Sequence, residues 1–83
     1  MTIDVNALRP TKIVDARGAA CPVPLIEAKR AMVEVPLHEI LEILSSNRAT
    51  AADLALWSKM VGHEYLGDAE EGDYWRVFVR RGK

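Results

Sequence analysis

Apolar and polar positions along this chain follow first one period and then another, and the switches mark its elements. In Thr11–Asp15, Ile13 and Val14 make a short strand that Arg17 and Gly18 close. From Pro22 to about Glu34, Leu25, Ala28 and Met32 recur at helical spacing with Ile26 and Val33 beside them. Glu27, Lys29, Arg30 and Glu34 supply the wet side, so a first helix is predicted, stopped by Pro36. Glu39–Leu44 reads as a partly alternating strand that runs into polar Ser45-Ser46-Asn47. Thr50 with Asp53 three residues on has the form of a capping box; Leu54, Trp57 and Val61 give a second helix one apolar face, and Gly62 stops it. His63 to about Leu66, then Tyr74 to Arg80 with Trp75, Val77 and Val79 on one side, read as closing strands around the acidic turn Glu70-Glu71-Gly72-Asp73. The order βαβαββ predicts an α+β fold: an open, mixed four-stranded sheet with both helices on one face. Residues 1–10 show no sustained period and end at Pro10, so they read as a flexible N-terminal arm ahead of a single domain over 11–83.

Size and charge narrow the function. At 83 residues, about half of them apolar, the chain is long enough for one modest core and too short for two. No apolar run is long enough to span a bilayer, and no basic-then-apolar leader opens the chain, so a cytoplasmic location is expected. The net charge of −1 is uneven: +2 over residues 1–30, −7 over 31–73 and +4 over 74–83. A basic cleft fed by both ends is conceivable, but the balance lacks the footprint of an autonomous nucleic-acid binder.

One cysteine, Cys21, excludes an intrachain disulfide, a two-cysteine redox motif and a multi-cysteine zinc site, and His38 and His63 show no ligand spacing with it. Neither metal nor organic cofactor is expected. Cys21 sits in Gly18-Ala19-Ala20-Cys21-Pro22-Val23-Pro24, directly before the first predicted helix. Pro22 suits the first helical position, which makes Cys21 the predicted N-cap, facing the first-turn N–H groups and the positive end of the helix dipole. Such positions lower a cysteine pKa from about 8.5 to roughly 3.5–7.5. Pro24 stiffens the first turn, Gly18 permits a tight bend, and Asp15 can orient the loop through backbone N–H bonds. Arg17, Lys29 and Arg30 are candidates to add positive potential. Outside this context a lone cysteine is more often an inert buried one.

The string Val14-Asp15-x-x-Gly18-x-x-Cys21-Pro22-x-Pro24 resembles the signature of the TusA-like (SirA-like) sulfur-carrier family, and the resemblance extends over residues 12 to 80, including Trp57 and Gly62-His63. It implies a two-layer α/β sandwich whose cysteine accepts sulfane sulfur as a persulfide and hands it to a partner protein, a role usually classed with the sulfurtransferases. Implied donors are a cysteine desulfurase or a rhodanese; an implied recipient is a DsrE-like protein. The family's pathways are tRNA thiolation, sulfur oxidation and cofactor sulfuration. The carrier is expected to be a monomer when free and to touch neither membrane nor nucleic acid directly. Two departures stand out. His38-Glu39 replaces a glycine–acid pair ahead of the second strand, which predicts a different turn, and Ser45-Ser46-Asn47-Arg48 replaces acidic residues and a proline, which changes the surface a partner meets. The alternative function is a docking or regulatory module in which Cys21 is dispensable. A one-cysteine peroxidase ranks third, because no threonine and arginine constellation is evident.

Overall fold

The computed structural model describes residues 7–20 and 22–83. Its elements are β1 (Lys12–Asp15), α1 (Val23–Met32), β2 (Ile40–Ser45), α2 (Ala49–Val61), β3 (Glu64–Glu71) and β4 (Tyr74–Arg80). The sheet order is β1-β2-β4-β3, with β1 and β2 parallel and β4 antiparallel to both of its neighbours. The predicted βαβαββ order and mixed four-stranded sheet are therefore present. This topology brings the carboxyl ends of β1 and β2, the starts of α1 and α2, and the β3–β4 turn to one edge of the sheet.

The core lies between the sheet and the helices. Leu41, Ile43, Val77 and Val79 from the two central strands meet Ala28, Ala31 and Met32 of α1 and Leu54 of α2. On α1 the buried positions are Pro24, Ala28, Ala31 and Met32, so Ala28 and Met32 face inward as predicted and Leu25 is partly buried against the core, while the flanking Ile26 and Val33 stay exposed. On α2 the buried positions are Thr50, Leu54 and Ser58. Ser58 is tolerated there because its hydroxyl donates to the Leu54 carbonyl at 2.7 Å. On the opposite sheet face Phe78, Ile40 and Leu66 form a second cluster against which Leu8 packs. Leu8 of the predicted arm therefore packs on the sheet, and residues 1–6 lie outside the described residues.

Several expectations need correction. Thr50 is no capping box: its hydroxyl pairs with the Ser45 hydroxyl at 2.8 Å in the interior, and Asn47 Oδ1 accepts the Ala49 N–H at 2.9 Å instead. Strand β3 runs five residues beyond Leu66, through the supposed acidic turn, leaving only Gly72-Asp73 to connect it to β4. The physical reasons are a bulge, in which Leu66 and Gly67 together oppose Phe78 with Gly67 at φ +138°, and cross-strand cations that make the acidic run a good strand. Arg76 pairs with Glu42 at 3.0 Å and Glu71 at 3.2 Å, and Arg80 with Glu64 at 2.9 Å. Two of the four cations at the basic end of the chain, Arg76 and Arg80, are thus engaged with carboxylates. His38 has φ +72°, so the turn before β2 keeps a left-handed residue although no glycine is there.

Candidate functional site

β1 ends at Asp15, and Ala16 continues the sheet by donating its N–H to the Leu44 carbonyl at 2.8 Å. The chain then turns: the Ala19 N–H reaches back to the Ala16 carbonyl at 3.2 Å, with Gly18 at φ +83°. A side chain at that φ would be strained, which explains glycine at this position. Three further contacts fix the turn. The Asp15 carboxylate accepts from the Arg17 backbone N–H at 3.1 Å, from Arg17 Nε at 2.9 Å and from Arg17 Nη2 at 2.8 Å. The Arg17 guanidinium lies over the Tyr74 ring, 4.9 Å from its centroid. Ser46 Oγ accepts the Gly18 N–H at 3.1 Å and so ties the β1–α1 loop to the β2–α2 loop.

The hydrogen bonds from Arg17 hold the Asp15 carboxyl down at about 2, and Asp15 in turn raises the Arg17 pKa, so both stay charged across the physiological range. Asp15 and Arg17 therefore act as a neutralised clamp on the loop rather than as a source of free positive potential.

Beyond the turn, α1 begins at Val23 with Pro22 as its cap residue (φ −102°, ψ 22°) and Pro24 inside the first turn. The helix thus starts one residue later than predicted, and Cys21 precedes the cap instead of being it. Cys21 itself lies outside the described residues. The N–H inventory at this helix start is thin. Pro22 and Pro24 have none, and Val23 donates its own to the Ala20 carbonyl at 2.9 Å. Pro24 is also fully buried, so it packs the core as well as starting the helix.

Of the residues singled out from sequence, the fold gathers Asp15, Arg17, Gly18, Pro22 and Pro24 around the loop. It does not bring Lys29 and Arg30 there. Both stand in the last turn of α1, about 10 Å along the axis from Pro22 at 1.5 Å per residue. Arg30 is further occupied by Glu27 at 3.5 Å. Sequence reasoning missed Ser46 and Tyr74 as loop anchors. Ser46 was flagged only as a departure in the loop after β2, and Tyr74 carries no local signal because it reaches the site through sheet order. Among the described residues no cluster of three His, Cys, Asp or Glu could hold a metal, and no helix is long and apolar enough to cross a membrane.

Residues 12–81 match the family profile described as sulfurtransferase TusA. YrkF of Bacillus subtilis, named as a candidate sulfur carrier, is 41% identical over 90% of this chain, which spans only 40% of YrkF's length. A protein of Archaeoglobus fulgidus named in the same way is 42% identical over 83% of this chain and 94% of its own length. Among solved structures, a SirA-like protein from Desulfitobacterium hafniense superposes with a TM-score of 0.74 over 87% of this chain and 99% of that one, at 23% identity. That likeness bears on the fold.

Proposed function

We propose that this chain, which belongs to the TusA sulfurtransferase family, is a sulfur carrier that takes up sulfane sulfur as a persulfide on Cys21 and passes it to a partner protein. One observation carries the reading most directly. The chain's only cysteine follows a loop held at the carboxyl edge of the sheet by the Asp15–Arg17 clamp and the Gly18–Ser46 hydrogen bond. Contacts of that kind support a presented, chemically used thiol over a core one.

In the first step the Cys21 thiolate attacks the outer sulfur of a donor persulfide. A bond forms between Cys21 Sγ and that sulfur, the donor's S–S bond breaks, and the donor cysteine leaves as thiolate. In the second step a recipient thiolate attacks the outer sulfur on Cys21, and Cys21 leaves as thiolate. Each step exchanges one S–S bond for another, so no external oxidant or reductant is consumed. With no second cysteine in the chain, no intramolecular thiol can discharge the sulfur as sulfide. The donors we propose are a cysteine desulfurase or a rhodanese, with a DsrE-like protein as recipient.

Intact-protein mass spectrometry tests the reading. After incubation with a cysteine desulfurase and cysteine, or a rhodanese and thiosulfate, the wild type should gain one sulfur atom that dithiothreitol removes, and Cys21→Ser should gain none. No gain from either donor, with a thiol that still alkylates, would overturn it in favour of a docking module.

A further inference from the structure

The helical layer is not closed. α1 lies over β1 and β2, and α2 over β3 and β4. Between the helices runs a groove of about 590 Å³, lined by Leu25 and Lys29 of α1 and by Asp53, Leu56, Trp57, Met60 and Val61 of α2, with His63 at its end. Leu56 is 61% exposed, Met60 75% and Val61 41%. Single exposed apolar residues need no explanation, but these line one hollow and repeat at i, i+4 in two adjacent rows, Leu56–Met60 and Trp57–Val61.

The groove runs into a second hollow of about 140 Å³ where Lys29, Arg81 and Lys83 meet. No Asp or Glu side chain lines that hollow, and Asp53 lines the adjoining groove. The ion pairs of α1 fall elsewhere: Glu34 takes Lys12, and Glu27 takes Arg30. The Arg81 guanidinium donates only to backbone oxygens, those of Met32, Val33 and Val35 and, through Nε at 2.7 Å, that of Lys83. The surface is therefore an apolar trough with a cationic end.

We propose that this groove docks an amphipathic helix of a protein partner, apolar along the face that enters and carrying carboxylates at the end that meets Lys29 and Lys83. The proposal rests on the sulfur-carrier reading for the partner's role. The stretch of α2 from Asp53 to Val61 spans about 12 Å, which matches somewhat more than two turns of a bound helix. The bound helix has its C-terminus at the cationic end, where its dipole adds to the attraction of its carboxylates. Leu25 opens the groove four residues after Cys21, so a partner seated along it has its adjoining surface at the reactive loop.

The test uses the full chain and an amidated synthetic peptide of about three turns, with leucines along one face and glutamates in the last turn. A reference peptide carries lysines at the same positions. Binding is read from tryptophan fluorescence, in wild type and in a Trp75→Phe background that leaves Trp57 as reporter. The glutamate peptide should bind about tenfold tighter than the lysine peptide, Lys29→Glu should abolish that preference, and Met60→Glu should weaken both about tenfold while Met60→Leu does not. Equal binding of the two peptides, or indifference to Met60→Glu, would overturn the proposal. So would wild-type self-association in sedimentation that Met60→Glu removes, which would assign the groove to a second copy. Sulfur uptake from glutathione persulfide, a donor that needs no docking, is measured in parallel. Failure of that uptake counts against the carrier reading, and failure of peptide discrimination counts against the groove.

Discussion

His38→Gly should stabilise this protein, although it deletes a side chain. His38 sits at φ +72°, where a Cβ crowds the neighbouring carbonyl at a cost of about 1–2 kcal/mol. Its imidazole is exposed, and its backbone N–H, which donates to the Arg81 carbonyl at 2.9 Å, survives the substitution. Glycine removes the strain and in exchange gives the unfolded chain more freedom, worth about 0.5–1 kcal/mol. The net gain is about 0.5–1 kcal/mol. For a domain of this size that raises Tm by about 2–8 °C, and with a urea m-value near 1 kcal/mol/M it raises the midpoint by about 0.5–1 M. Urea unfolding followed by circular dichroism reads this directly. His38→Ala keeps the Cβ and should show no gain. Gly18→Ala supplies the mirror image: at φ +83°, with no described atom within 4 Å of the added Cβ, it should lose about 0.5–1 kcal/mol from conformation alone. If His38→Gly is no more stable than His38→Ala, the strain argument is wrong.

Three further outcomes follow from the contacts. Arg76→Met leaves the Glu42 carboxylate, whose side chain is 5% exposed, without its main partner and should cost about 3 kcal/mol in urea unfolding; adding Glu42→Gln should recover part of it. His63 accepts the Gly82 N–H on Nδ1 at 3.0 Å, and burial, then Arg81, lower its pKa below the usual 6.5. The neutral form is the folded one, so its contribution is present above the unfolded pKa and lost as pH falls through the lowered value; protection of the Gly82 amide relative to its intrinsic exchange should therefore fall as pH drops through that value, and unchanged protection would refute the contact. Asp15→Asn weakens the clamp on Arg17, so exchange at the Arg17 and Gly18 amides should accelerate and sulfur uptake should slow, while the final mass gain on Cys21 is unchanged.

The element order was readable because periodicity reports burial, and the two stretches that misled are those where burial depends on distant residues. The acidic run of β3 looks like a turn until Arg76 and Arg80 are placed beside it. Likewise, Thr50 looks like a cap until Ser45 is seen to claim its hydroxyl in the interior. At the loop, Asp15, Arg17 and Gly18 were legible because their contacts are local. Ser46 and Tyr74 arrive through strand order, which no local pattern encodes. Lys29 and Arg30 are candidates for the loop by charge alone, whereas the helix carries them away from it.

The helix start bears on how reactive the thiol should be. A sulfur ahead of a regular helix meets several unpaired N–H groups, and that arrangement drives thiol pKa values furthest down. Here two prolines remove donors, Val23 is committed to Ala20, and Arg17 is neutralised by Asp15. The aligned peptide dipoles of α1 remain, but the point donors are largely withheld. A carrier gains from this restraint, because nucleophilicity falls with pKa and the best attacking thiol titrates near ambient pH. Cys21 is therefore expected to be a less acidic thiol than one that faces a helix start with all its donors free. The pH dependence of iodoacetamide alkylation, followed by mass spectrometry, measures its pKa. Pro24→Ala restores one donor in the first turn and should lower the measured value, so no response to Pro24→Ala would refute the link between the prolines and the thiol.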